Sequence, residues 1–113
     1  MLKKEHRLTK NKYFNYIYKK GKTQASQHLV LYYVKTKFKP FKVGFSVSNK
    51  IGKSIVRSKV KRRLRESFKF FIDKVDNNFN YVIVAKVGIH EIDFQQIKSE
   101  LHSLLKKADK ISE

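Results

Sequence analysis

The chain has 113 residues, 41% of them apolar, and a formal net charge of +18, which suits one modestly sized domain spanning 1–113. It holds no cysteine, excluding disulfides and thiolate metal sites. No apolar run exceeds six residues, against roughly 20 needed to span a bilayer, and the opening MLKKEHRLTK lacks the apolar stretch of a secretory signal; a soluble cytoplasmic protein with no membrane partner is expected.

Residues 11–20, NKYFNYIYKK, predict a helix. Asn11 is a candidate cap, Phe14, Ile17 and Tyr18 recur at helical spacing, and Gly21 is a candidate stop. HLVLYYVKT (28–36) and KVGFSVS (42–48) predict strands, rich in β-branched and aromatic residues. KFKPF between them carries the one proline and predicts a hairpin connection. Ser54 is the expected cap of a long helix over 55–75, with Val56, Val60, Leu64, Phe68, Phe71, Ile72 and Val75 as its apolar stripe. DNNFN (76–80) predicts a turn and YVIVAKV (81–87) a buried strand. Asp93 and Gln96 have capping-box spacing ahead of a last amphipathic helix over 94–107. The order α-β-β-α-β-α implies an α+β domain with helices packed on a sheet.

The charge is unevenly placed. Between Glu5 and Glu66 there is no acidic residue, and this stretch carries eighteen lysines and arginines. The other residues balance, nine bases against nine acids. Sixty residues without a carboxylate point to a polyanionic partner, nucleic acid ahead of an anionic membrane. Of the 27 cations only five are arginine, and four of those, Arg57, Arg62, Arg63 and Arg65, fall within nine residues. Arginine's planar fork grips phosphate bidentately, which lysine's point charge cannot do. A merely solvated helix face would not need that concentration.

At about 100° per residue, Arg57, Lys61 and Arg65 climb one ridge of the long helix, with Ser58 and Arg62 beside them and Lys59 and Arg63 on the other flank. Lys53 and the free amides near Ser54 add positive potential at the helix start. A reader of duplex bases would carry Asn, Gln or Ser along this face; only Ser58 does. Phosphate and shape recognition is therefore expected, favouring structured RNA over DNA. A second surface is suggested by Phe14, Tyr18, Tyr32 and Tyr33 interleaved with Ser46, Ser48 and Lys50, a pattern suited to stacking single-stranded nucleic acid. Aromatics at helical spacing are also what a core uses, and composition alone leaves both readings open.

FKVGFSVSNKIGKSIVRSKVKRRLRESF (41–68) resembles the signature of the bacterial ribonuclease P protein subunit. That family carries a G-x-S-V-S-K-K-x-G stretch followed by an arginine-rich "RNR" helix. HRLTKNKYFNYIYKKGKT is similar to the family's opening R-L, N-x-x-F and K-x-G pattern, and a weaker likeness extends through YVIVAKVGIH and the last helix. The resemblance implies a fold like domain 2 of ribosomal protein S5, with a left-handed β-α-β crossover where the default is right-handed. It implies the protein subunit of an endoribonuclease that removes the 5′ leader of precursor tRNA. The catalytic RNA would perform the hydrolysis with Mg²⁺, so no catalytic residue and no metal ligand is expected in this chain. The partners implied are the catalytic RNA and precursor tRNA, with no DNA.

By the same resemblance, the positions facing the catalytic RNA are Arg57, Ser58, Lys59, Lys61, Arg62 and Arg65, with Lys53 alongside. The leader-binding cleft would contain Phe14, Tyr18, Tyr32, Ser48 and Lys50. Three positions depart from the family pattern: Ser58 stands for its Asn, Lys59 for its second Arg, and Asn49 for the first lysine of its usual pair.

Three rival functions fit parts of the sequence. A structural or ribosome-associated RNA-binding protein would share the charge but not the ordered cleft motif. A protein nuclease would need an acid–base site among His6, His28, His90 and His102, which are scattered, or clustered carboxylates for metal, which the basic half lacks. A DNA-binding regulator would need helix-turn-helix spacing or a dimer element, and neither is visible.

Overall fold

The computed structural model describes residues 4–112. They build three helices, α1 (Asn11–Lys20), α2 (Ser54–Lys69) and α3 (Phe94–Lys107), and four strands, β1 (Lys22–Ala25), β2 (Leu29–Lys35), β3 (Val43–Ser46) and β4 (Phe79–Ala85). The α-β-β-α-β-α order stands, with β1 added as a short edge strand. The sheet order is β1-β2-β4-β3, antiparallel except for the parallel β3–β4 pair.

β4 is a central strand because both of its faces are apolar. Tyr81, Ile83 and Ala85 alternate with Val82 and Val84, and a strand covered on both sides reads as a continuous hydrophobic run. The first set joins the main core with Leu29, Leu31, Val43, Val60, Leu64, Phe68, Ile97, Leu101, Leu104 and Leu105, placing α2 and α3 on one face. Val82 joins Leu8 and Ile17, with Phe14, Tyr32, Val34 and Val84 packed against them, placing α1 on the other. β4 pairs Tyr81 with Tyr33 of β2 on one side and with Val43 of β3 on the other. The expected hairpin between β2 and β3 is therefore absent: the two strands flank β4 instead of each other. The 36–42 segment spans the end of β4, with the Thr36 amide donating to Asn78 O at 2.8 Å and the Lys42 amide to Asn80 Oδ1 at 2.7 Å. Parallel strands need a crossover, and between β3 and β4 it is α2.

α2 ends at Lys69 rather than near residue 75. The Phe70 and Phe71 amides donate to the carbonyls three residues back, at 3.2 and 2.8 Å, tightening the last turn. Phe71 and Val75 remain buried beyond the helix, so the apolar spacing outlasts the helical backbone. β3 likewise stops at Ser46, leaving Ser48 and Lys50 outside the strand. The expected caps divide. Asp93 accepts from the Gln96 amide at 2.9 Å and Gln96 Oε1 accepts from the Asp93 amide at 3.1 Å, a complete capping box. Asn11 and Ser54 instead occupy the first helical positions, behind Lys10 and Lys53, which make no side-chain cap bond. Gly21 stops α1 in an extended conformation rather than a left-handed one, its amide donating to Ile17 O at 2.7 Å.

Candidate nucleic-acid interface

α1 rests on the sheet through Ile17, and this leaves an open groove of about 600 Å³ beside it toward β3. Asn11, Phe14, Asn15 and Tyr18 form one wall, at the i, i+3, i+4, i+7 spacing of a single helix face. Gly44 and Ser46 of β3 contribute to the floor, and Lys61 and Arg65 of α2 form the opposite wall. β3 is the edge strand on this side of the sheet, so side chains of α1 and α2 meet across it. Arg7 adds a further cation. No carboxylate lines the groove.

The aromatic wall is built by packing. Phe14 and Tyr18 have ring centroids 6.3 Å apart, and Tyr18 meets Tyr32 edge-on at 5.0 Å. Phe14 sits where a side chain at residue 44 would be: a Cβ on Gly44 would come within 2.5 Å of Phe14 Cζ and 2.7 Å of Cε1. The glycine is required by this close approach, and it lets the far end of the ring reach the strand backbone.

The basic ridge forms as the spacing requires. Val60, Leu64 and Phe68 are buried and anchor α2. Arg57, Lys61 and Arg65 are half-buried beside that stripe, while Lys53, Ser58, Lys59 and Arg62 are exposed. Arg57 Nε donates to Gly52 O at 3.2 Å, fixing the root of its guanidinium. Among the described residues, none of the six cations from Arg57 to Arg65 has a carboxylate within ion-pair distance. Six unneutralised cations on two and a half turns repel one another, a cost that a polyanion removes.

The expected residues do not all converge. Phe14, Tyr18, Lys61 and Arg65 line one groove, so the ridge and the cleft, taken as separate in sequence, share a wall. Tyr32 stands behind Tyr18 rather than in the lining. The lining ends at Val47; Ser48 and Lys50 are exposed on the turn that follows. Ser46, expected on this surface, lies in the lining, whereas Arg7, Asn11 and Asn15 were not anticipated there. Asn11 and Asn15 share the helix face of Phe14 and Tyr18, a spacing that could have found them.

The histidines lie in separate environments. His6 Nδ1 is 2.8 Å from Phe41 O, His28 Nδ1 is 2.6 Å from Glu100 Oε2, His102 stacks on Phe71, and His90 is exposed. Among the described residues no group of three or more His, Asp or Glu side chains could hold a metal ion, and no helix is long and apolar enough to cross a membrane.

Residues 2–109 match the family model of ribonuclease P. The chain belongs to the ribonuclease P protein family. It is 41% identical to the ribonuclease P protein component of Clostridium botulinum over 93% of this chain and 96% of the relative. It is 40% identical to that of Caldanaerobacter subterraneus, over 95% and 92% of the two chains. The Staphylococcus aureus RNase P protein superposes with a TM-score of 0.88 at 33% identity, covering 96% of this chain and all of the other. The chain is accordingly a protein component of the endoribonuclease complex that processes the 5′ end of tRNA.

Proposed function

We propose that the chain, as one RNA-binding domain, clamps two RNAs at once. The ridge of Lys53, Arg57, Ser58, Lys59, Lys61, Arg62 and Arg65 takes the catalytic RNA, and the groove takes the 5′ leader of precursor tRNA. In the groove, leader bases stack on Phe14 and Tyr18 while Lys61 and Arg65 meet the leader's phosphates. Ser48 and Lys50, past the groove's end, extend the path of the strand, and Tyr32 holds Tyr18 in place. Hydrolysis belongs to the catalytic RNA with Mg²⁺, in the cytoplasm. The groove offers Mg²⁺ no carboxylate, which suits an ion held mainly by RNA. The protein's contribution is positioning and charge: neutralising phosphates releases counterions and lowers the Mg²⁺ needed to hold the complex together. Ser58 and Lys59 keep a short polar group and a cation where the family has Asn and Arg, preserving phosphate contact.

The observation that carries this reading is the shared groove, aromatic on one wall and cationic on the other. That pairing suits a single strand, whose bases and phosphates point to different sides. The test uses the reconstituted complex with Phe14→Leu, at one fixed salt concentration. Affinity for precursor tRNA should fall several-fold while affinity for mature tRNA stays unchanged. Equal losses for the two, or a lowered melting temperature that accounts for the loss, would make Phe14 a core residue only.

A further inference from the structure

A second groove, of about 410 Å³, lies between the end of α2 and α3, on the sheet face opposite the one that carries Phe14. Successive phenylalanines leave α2 in opposite directions there. Phe71 turns into the core, whereas Phe70 is 56% exposed. Phe70 meets Phe94 at 6.0 Å between centroids, and Lys98 Nζ stands 3.7 Å from the Phe70 centroid. On the inner wall the His102 imidazole stacks on Phe71, 5.3 Å apart and 7° from parallel. Lys74, Gln95 and Ser99 complete the rim, and no carboxylate lines it.

An exposed aromatic beside two lysines, with an amide and a hydroxyl at the edge, matches one nucleotide. The ring accepts the base, the ammonium groups accept the phosphate, and Gln95 and Ser99 can bond the base edge. The volume falls within the range of small-molecule sites. A purely structural explanation accounts for Phe71 and leaves Phe70 unexplained, because a large apolar side chain held outward is not core. Lys98 covers one face of the Phe70 ring; a base stacking there takes the place of the ammonium, which swings aside on its flexible stem to meet the phosphate. We propose that the Phe70–Lys98–His102 groove binds one nucleotide of a single-stranded RNA segment, at a site separate from the leader groove.

The full chain, isotopically labelled, is titrated by NMR with adenosine 5′-monophosphate, inorganic phosphate and tetra-adenylate. Adenosine monophosphate should shift the His102 ring and Lys98 side-chain signals saturably, and inorganic phosphate should not. Phe70→Ala should weaken this response at least tenfold and Phe70→Tyr should restore it. Phe14→Leu should leave it unchanged. Tetra-adenylate should bind the same residues more tightly than the monophosphate; equal or weaker binding would mean a free-nucleotide site and overturn the RNA assignment. Unchanged affinity in Phe70→Ala, an equal response to phosphate alone, or loss of the response in Phe14→Leu would each overturn the site.

Discussion

Gly44 and Phe14 are fitted to each other: the ring of one occupies the space where the other lacks a side chain, with a virtual Cβ only 2.5 Å from Phe14 Cζ. The contact ties β3, the strand beside the basic helix, to the aromatic wall of the groove. Gly44→Ala should therefore swing the Phe14 ring away while leaving the fold intact, because the clashing atoms are the far end of a side chain. Precursor tRNA binding should weaken by on the order of 1 kcal/mol, the lower end of a stacking loss, with mature tRNA unaffected. Binding measured against both tRNAs, together with a thermal melt, checks this; a large drop in melting temperature would contradict it.

Arg57 and Arg65 occupy one ridge but different settings, and their lysine variants should differ. Arg57→Lys gives up a guanidinium anchored on Gly52 O and should weaken catalytic-RNA assembly by about 1 kcal/mol at constant net charge. Arg65 also lines the groove, so Arg65→Lys should in addition weaken discrimination of precursor from mature tRNA. Lys37→Ala, in the segment between β2 and β3, should cost assembly less than either. If Lys37→Ala is as harmful, bulk charge rather than placement governs binding. The comparison must hold salt fixed, since phosphate contacts make every value salt-dependent.

Two of the three expected helix caps give a pair of stability predictions. Asp93→Ala removes a bonded capping box and should destabilise the free protein by about 1 kcal/mol. Ser54→Ala should change stability by less than about 0.5 kcal/mol, because Ser54 makes no cap bond and sits inside the first turn. Denaturant midpoints of the two variants decide it; equal losses would contradict the cap assignment.

These contrasts show what the sequence could carry. Helix existence, the α2 stripe and the Asp93–Gln96 box depend on residues close in the chain, and they were legible. β1 was not, because KTQA is polar and almost wholly exposed, so no apolar alternation marks it. The β2–β3 hairpin failed because the insertion of β4 between them is decided by burial of β4 on both faces, a long-range effect. The end of α2 was overrun because Phe71 and Val75 keep helical spacing after the backbone has turned. In the groove, Phe14 and Tyr18 were legible as a pair. That Lys61 and Arg65 face them across an edge strand depends on strand order.

Glu100 makes the free protein's stability depend on acid. Desolvation raises its pKa, but hydrogen bonds from Ser26 Oγ and from the His28 amide and ring, with the His28 charge, together hold it below its ordinary value of 4.5. A depressed carboxylate stabilises the fold above its unfolded pKa, and that contribution is lost as pH falls through the lowered folded value. Glu100→Gln should therefore be less stable than the parent at neutral pH. The difference in melting temperature should shrink below pH 4.5 and close once the parent's carboxyl is protonated. A difference independent of pH would contradict the role of the charge.

The most direct test of the whole account is leader removal from precursor tRNA at low Mg²⁺, measured with the protein alone, the catalytic RNA alone, and the two combined. The account predicts no cleavage by the protein, little by the RNA, and efficient cleavage by the combination. Leader removal by the purified protein that survives depletion of the catalytic RNA would contradict it.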